Sequence, residues 1–155
     1  IEIRPDIKFS SDFIIGYPGE NNKDFIKTIN LLNEVKFINS FSFLGSARPG
    51  TPAYKLKEGD HTVLKNRLIK FQKIAENIKT SYRKNLINKT ARVLFENKMK
   101  SGNKYFGRDE YFNSVIVESD IDLTGHIKDV KILKGNHNTL FAEVISNVKK
   151  TNCAA

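Results

Sequence analysis

The 155-residue sequence holds one cysteine, Cys153, and no tryptophan. A single thiol cannot build a disulfide framework, a Cys-ligated zinc site or a protein-held iron–sulfur cluster within this chain. No apolar run approaches the roughly 20 residues that span a membrane. The opening Ile1-Glu-Ile-Arg-Pro5 lacks a Met and any signal-peptide layout. A start without Met, already close to a strand pattern, predicts a piece of a longer protein. P-loop, nucleophile-elbow and hydrolytic-triad signatures are missing. His61, His126 and His137 are scattered without ligand spacing to Asp, Glu or Cys, and are expected to be structural or solvent-exposed. Acidic residues are also few: 17 against 26 basic ones, a net charge of +9.

What is present supports a folded chain with an acidic partner. Hydrophobic residues at 39% and aromatics at 10% are enough for a core, so a disordered basic tail is excluded. The length fits one ordinary domain or two small ones. The basic excess makes nucleic acid the first partner to consider. Its location matters more than its total, because Lys-, Ile- and Asn-rich usage can reflect genome composition. Residues 1–59 carry a net of +1, residues 60–89 +6 and residues 90–155 +2.

Residues 7–16 read as a strand, with the apolar run Phe13-Ile-Ile15 suited to a parallel sheet buried on both faces. Asn21 or Asn22 offers an N-cap to a helix carrying Phe25, Ile29, Leu32 and Val35. A second strand runs over 37–44, completing a βαβ unit. Two Pro and two Gly between Gly45 and Pro52 predict a loop. Leu64, Leu68, Phe71, Ala75, Ile78, Tyr82 and Leu86 then trace one stripe of a long helix over 61–86. From Lys89 the period becomes two. Short strands are expected at 89–96, 104–108, 114–117, 127–133 and 140–145, separated by turn signals, as in a small OB-like β-barrel. The predicted architecture is α/β plus all-β. Its parts are residues 1–58, a connecting basic helix over 59–86, a barrel over 87–148 and a tail over 149–155.

Several residues invite a chemical role beside a structural one. Gly16-Tyr-Pro-Gly-Glu20 closes the first strand, where ligands sit in open and barrel α/β folds. It equally suits a plain βα turn with an acid near a helix N-terminus. Asp12, inside an apolar strand, faces a polar cavity or is satisfied locally. Arg48 follows the second strand and could grip a carboxylate or phosphate, or bond loop carbonyls. On the helix, Lys70, Lys73, Arg83 and Lys84 belong to a basic set that has Glu76 as its one acid. RNA phosphates would relieve its self-repulsion. Lys98, Lys100, Lys104 and Arg108, interleaved with Tyr105, Phe106, Tyr111 and Phe112, form a further candidate RNA surface. At least two of those four aromatics are expected to pack into the barrel instead.

The runs Ser10-Ser-Asp-Phe-Ile-Ile-Gly-Tyr-Pro-Gly-Glu20 and Phe41-Ser-Phe-Leu-Gly-Ser-Ala-Arg-Pro-Gly-Thr-Pro-Ala53 closely resemble the radical-SAM methylthiotransferases, and most of all the MiaB-type enzymes that act on tRNA. The stretch from about Leu86 to Ile145, with Gly107-Arg108 and Gly125-His126, resembles a TRAM domain. The resemblance covers the chain to about Val148. It implies the last two βα strands of a partial TIM barrel, a connecting helix and an RNA-binding barrel. It implies S-adenosyl-L-methionine and two 4Fe-4S clusters in the full-length parent, with both cysteine triplets upstream of Ile1. The implied reaction adds a methylthio group to C2 of an N6-isopentenyl-adenosine beside the anticodon. Asp12, Gly16, Pro18, Gly19, Glu20, Ser46 and Arg48 would face the cofactor and substrate pocket. The implied partner is the anticodon stem-loop of tRNA, the location cytoplasmic, and the protein monomeric without membrane contact. A commoner TRAM pattern has a second Arg where this chain has Ser114. Alternatives are a stand-alone RNA-binding module, or a relative acting on threonylcarbamoyl-adenosine tRNA or a ribosomal protein. Residues 1–58 are expected to aggregate alone, and 86–148 to fold.

Overall fold

The computed structural model describes residues 3–145. The tail predicted over 149–155, the last residues of the 87–148 segment and Cys153 lie outside the described residues. The chain divides into two compact units, Ile1–Tyr82 and Arg83–Ala155. Among the described residues, no helix is long and apolar enough to cross a membrane.

The first unit contains β1 (Ser10–Ile15), α1 (Asn22–Val35), β2 (Asn39–Leu44), a short 3-10 turn (Pro52–Lys55) and most of α2 (His61–Lys84). Asn21 is the N-cap of α1: its side-chain oxygen accepts from Lys23 N at 2.8 Å and Asp24 N at 3.2 Å. Asp24 answers by accepting from Asn21 N at 3.3 Å, a reciprocal capping box. β1 and β2 pair in parallel, Asp12 opposite Phe41 and Ile14 opposite Phe43. Alternation then sorts the side chains. Phe13 and Ile15 point into a core with Phe25, Leu32 and Phe71. The Phe13 ring lies 5.4 Å from Phe37 and 4.8 Å from Phe71. Asp12, Ile14, Phe41 and Phe43 occupy the opposite face, where Ile14 is 62% and Phe43 59% exposed. The apolar run is therefore covered on one face only, where burial on both was predicted.

The second unit is a closed barrel of β3 (Thr90–Lys98), β4 (Lys104–Asp109), β5 (Ser114–Glu118), β6 (Ile127–Gly135) and β7 (Leu140–Val144). The strand order is β3-β4-β5-β7-β6, with β6 returning to pair with β3. All pairs are antiparallel except β5 with β7. Period-two alternation sends Val93, Phe95, Tyr105, Val115, Val117, Val130, Ile132, Leu140 and Ala142 inward, joined by Leu123. All five strands match their predicted positions to within two residues. The long helix ends at Lys84 rather than Leu86, and Leu86 packs against the barrel core instead.

Gly107 sits inside this barrel without room for a side chain. A Cβ there would run into the carbonyl oxygen of Leu94 and lie 2.7 Å from Val93 Cγ1. Beside it, the β3–β4 register slips between Phe95 and Asn97. A glycine at a bulge allows the neighbouring backbone this close approach.

Candidate strand-end site and nucleic-acid interface

In the first unit the strand-end turn is explained by its own residues. Glu20 N donates to Tyr17 O at 2.8 Å. Pro18 in the second turn position and Gly19, at φ 95°, in the third match the demands of a type II turn. Gly16 adopts φ 77°, and a Cβ on it would meet Leu64 at 2.8 Å. Gly45 N donates to Ile15 O at 2.8 Å, drawing the two strand ends together. Pro18 and Gly16 are buried, and Gly19 is exposed.

Glu20 was expected to face the pocket, and here the structure corrects the expectation. Its Oε2 accepts from Gly16 N at 2.9 Å and its Oε1 from Arg67 Nη1 at 2.9 Å. Arg67 Nη1 also donates to Glu20 O at 3.1 Å, and its guanidinium lies 5.5 Å from the centre of the Phe25 ring. The side chains of Arg67 and Glu20 are only 13% and 10% exposed. The carboxylate is an internal brace between turn and helix α2. By contrast Asp12, Ser46 and Arg48 are exposed. The carboxylate of Asp12 and the guanidinium of Arg48 make no ion pair among the described residues. They remain open to a ligand: Arg48 suits a carboxylate or phosphate, Asp12 an amine or hydroxyl.

On α2, Lys70 and Lys73 are exposed, as is Lys84 at its end. Arg83 is the exception and a second correction. It is 7% exposed and donates to the carbonyl oxygens of Asn136 and His137. It ties the helix end to the β6–β7 turn, so its guanidinium does not face solvent phosphates.

On the barrel, Lys98 and Lys100 are exposed, and Lys104 and Arg108 are half-buried on the outer face. Lys104 pairs with Glu118 at 3.5 Å and Arg108 with Glu96 at 3.2 Å. Arg108 also covers the Phe106 ring at 5.4 Å. Tyr105 is the third correction: at 3% exposure it belongs to the barrel core, with Lys98 Nζ 5.7 Å from its ring centre. Strand alternation buries Tyr105 and Gly107 and places Phe106 and Arg108 on the outer face. Lys134, which the sequence reading missed, lies 5.4 Å from the ring of Phe141 on the same outer surface. Strict alternation from the inward Val130 and Ile132 would send Lys134 inward; the register shift between Ile132 and Lys134 puts it on the outer face instead.

The Leu123 loop carries one perturbed acid. Hydrogen bonds from the main chain and side chain of Thr124, helped by Lys98 and His126, hold the Asp122 carboxyl below the usual carboxylate range. Its stabilising contribution is complete above the ordinary Asp value near ~3.9 and is lost as pH falls through the lowered folded value. An NMR titration of the barrel should therefore find Asp122 protonating below a reference aspartate. An ordinary or raised midpoint would contradict the loop geometry.

Among the described residues no group of His, Cys, Asp and Glu is arranged to hold a metal ion.

Residues 84–145 match the TRAM domain family. The tRNA-2-methylthio-N(6)-dimethylallyladenosine synthase of Pelagibacter ubique (strain HTCC1062) is 47% identical over 149 residues, covering 96% of this chain and 33% of the relative. The protein of the same name from Vesicomyosocius okutanii is 44% identical over 148 residues, with 95% and 34% covered. That from Alcanivorax borkumensis is 45% identical over 144 residues, with 89% and 32% covered. The chain spans about a third of the length of these relatives. The barrel is thus a TRAM domain, and nearly the whole chain corresponds to the C-terminal third of the tRNA-2-methylthio-N(6)-dimethylallyladenosine synthases.

Proposed function

We propose that this chain is the C-terminal part of a tRNA methylthiotransferase that modifies C2 of N6-isopentenyl-adenosine next to the anticodon. The observation that carries this is the near end-to-end match to proteins of that name, with a TRAM domain in the corresponding place. In this reading β1 and β2 are the last strands of a radical-SAM barrel. Their uncovered face, with Ile14, Phe41 and Phe43, would meet the strands that precede them. That exposed apolar face argues against a stand-alone RNA-binding module. S-adenosyl-L-methionine and two 4Fe-4S clusters would supply the radical chemistry, with the clusters held by cysteines outside this chain. The part left to these residues is to bind and orient. Asp12, Ser46 and Arg48 are free for polar contacts to cofactor or substrate, while Gly16, Pro18, Gly19 and Glu20 shape the turn beneath them. Lys70, Lys73, Lys84, Lys98, Lys100, Lys104 and Arg108 would track tRNA phosphates. The cellular location that goes with this activity is the cytoplasm.

Binding of the chain to an isopentenylated tRNA, titrated against salt, tests the RNA half. The logarithm of affinity should fall linearly with that of salt. The Lys70→Ala/Lys73→Ala double variant should lower the slope by roughly one to two. Absence of binding at low salt would remove the RNA role. The enzymatic half is tested in the full-length protein with reconstituted clusters. Modification of a ribosomal protein or of threonylcarbamoyl-adenosine tRNA alone would reassign the substrate.

A further inference from the structure

Phe112, in the loop between β4 and β5, is 73% exposed and adopts φ 60°. That left-handed conformation suits Gly or Asn and is uncommon for a bulky residue. The loop leaves it no alternative. Asp109 Oδ1 accepts from Tyr111 N and Asn113 N, each at 2.9 Å, and Oδ2 accepts from Asn113 Nδ2 at 2.8 Å. Phe112 N donates to Asp109 O at 3.0 Å, and Asp109 N to Asn113 O at 3.2 Å. Asn113 is 2% exposed, so the frame is anchored in the barrel. An aromatic ring held outward on a strained residue contributes little burial to the fold. Strain that the surroundings over-determine is found at ligand clamps.

Chain leading into this loop also lines a hollow of about 250 Å³, bounded by Arg92, Leu94, Arg108, Asp109, Glu110 and Ile127. Leu94 and Ile127, cross-strand neighbours, give it an apolar part that is 46% and 56% exposed respectively. Arg92 and Arg108 flank it. Arg108 is kept in place by Glu96 and by the Phe106 ring. The acids of the hollow are Asp109, whose oxygens are occupied by the loop, and the exposed Glu110.

We infer that the β4–β5 loop is a docking point for an unpaired RNA base, which stacks on Phe112 while Arg92 and Arg108 bind the flanking phosphates. This rests on the RNA-binding reading above and narrows it to one ring. Any base offers a π-face to such a ring. Guanidinium forks suit phosphate oxygens. A ring fixed before binding loses little freedom when a base arrives.

The test uses the whole chain with two probes in fluorescence anisotropy, a single-stranded 12-mer RNA and a duplex of the same length. Phe112→Asn removes the ring and tolerates the left-handed backbone. It should melt no lower than the wild type, bind the single strand about tenfold more weakly, and bind the duplex unchanged. Phe112→Trp should restore single-strand binding. Unchanged single-strand binding by Phe112→Asn would overturn the inference, as would equal loss for both probes. A lower melting temperature for Phe112→Asn would make the ring a packing residue and also overturn it. If the wild type binds only the duplex, this inference falls and the broader RNA role stands. If it binds neither, both fall.

Discussion

Gly107→Ala is expected to prevent the TRAM barrel from closing. The added methyl would collide with the Leu94 carbonyl oxygen on the neighbouring strand and with Val93 Cγ1 at 2.7 Å. A flexible side chain could swing aside, but a carbonyl in a paired strand cannot move without opening the β3–β4 ladder. Overpacking of a core typically costs ~1–3 kcal/mol. Here the obstruction is backbone, so the upper end or more is expected, against a total stability of ~5 kcal/mol for a small domain. Hydrogen exchange should show lost protection across β3 to β7, while α1 amides keep theirs. A Gly107→Ala barrel that melts within a degree or two of the wild type would show that the strands separate easily at this point.

Arg67→Ala is expected to have the second-largest effect, in the first unit. The substitution leaves the Glu20 carboxylate, 10% exposed, without its cation and removes the guanidinium from the Phe25 ring. Breaking one partner of a buried pair costs ~3–5 kcal/mol, and the residual exposure of both groups puts the expectation at the lower end. Glu20→Gln should cost less, since its amide oxygen can still accept a hydrogen bond. The check is the urea midpoint by circular dichroism, with the m-value unchanged. If Arg67→Ala is neutral, the pair is a surface decoration rather than a brace. If Glu20→Gln proves the worse of the two, the contact with Gly16 N dominates.

Much of this fold is legible in the sequence. The barrel strands were readable because short β-branched and aromatic runs such as Val93 to Phe95 and Val115 to Val117 are bounded by polar residues, and because Gly102, Gly125 and Gly135 mark turns. The cap of α1 was readable from Asn21 and the apolar spacing behind it. What could not be read was long-range pairing. Nothing near Glu20 indicates that its partner lies at Arg67, so it looked available for a ligand. Arg83 shares its chemistry with Lys70 and Lys73, and its hydrogen bonds to the carbonyls of Asn136 and His137 in the β6–β7 turn set it apart. Tyr105 could have been assigned correctly. Once Gly107 is taken as an inward residue, the period of two sends Tyr105 inward and Phe106 out. Phe112 was legible as one aromatic of a candidate RNA surface; its left-handed backbone was not, although the Asp109 and Asn113 around it are typical loop formers.

The parallel pairing of β5 with β7 has a consequence for how the domain is made on the ribosome. Val115 to Val117 wait for Leu140 to Ala142, and β6 reaches back to β3 before that. During synthesis the β3–β4–β5 meander must therefore persist with an open edge until residues 140–144 emerge. Such edges invite pairing with a foreign strand, and non-local closure is slow. The charged outward residues Lys104, Arg108 and Glu118 on these strands then act as guards of a nascent chain, discouraging its neighbours from completing the barrel in place of β7.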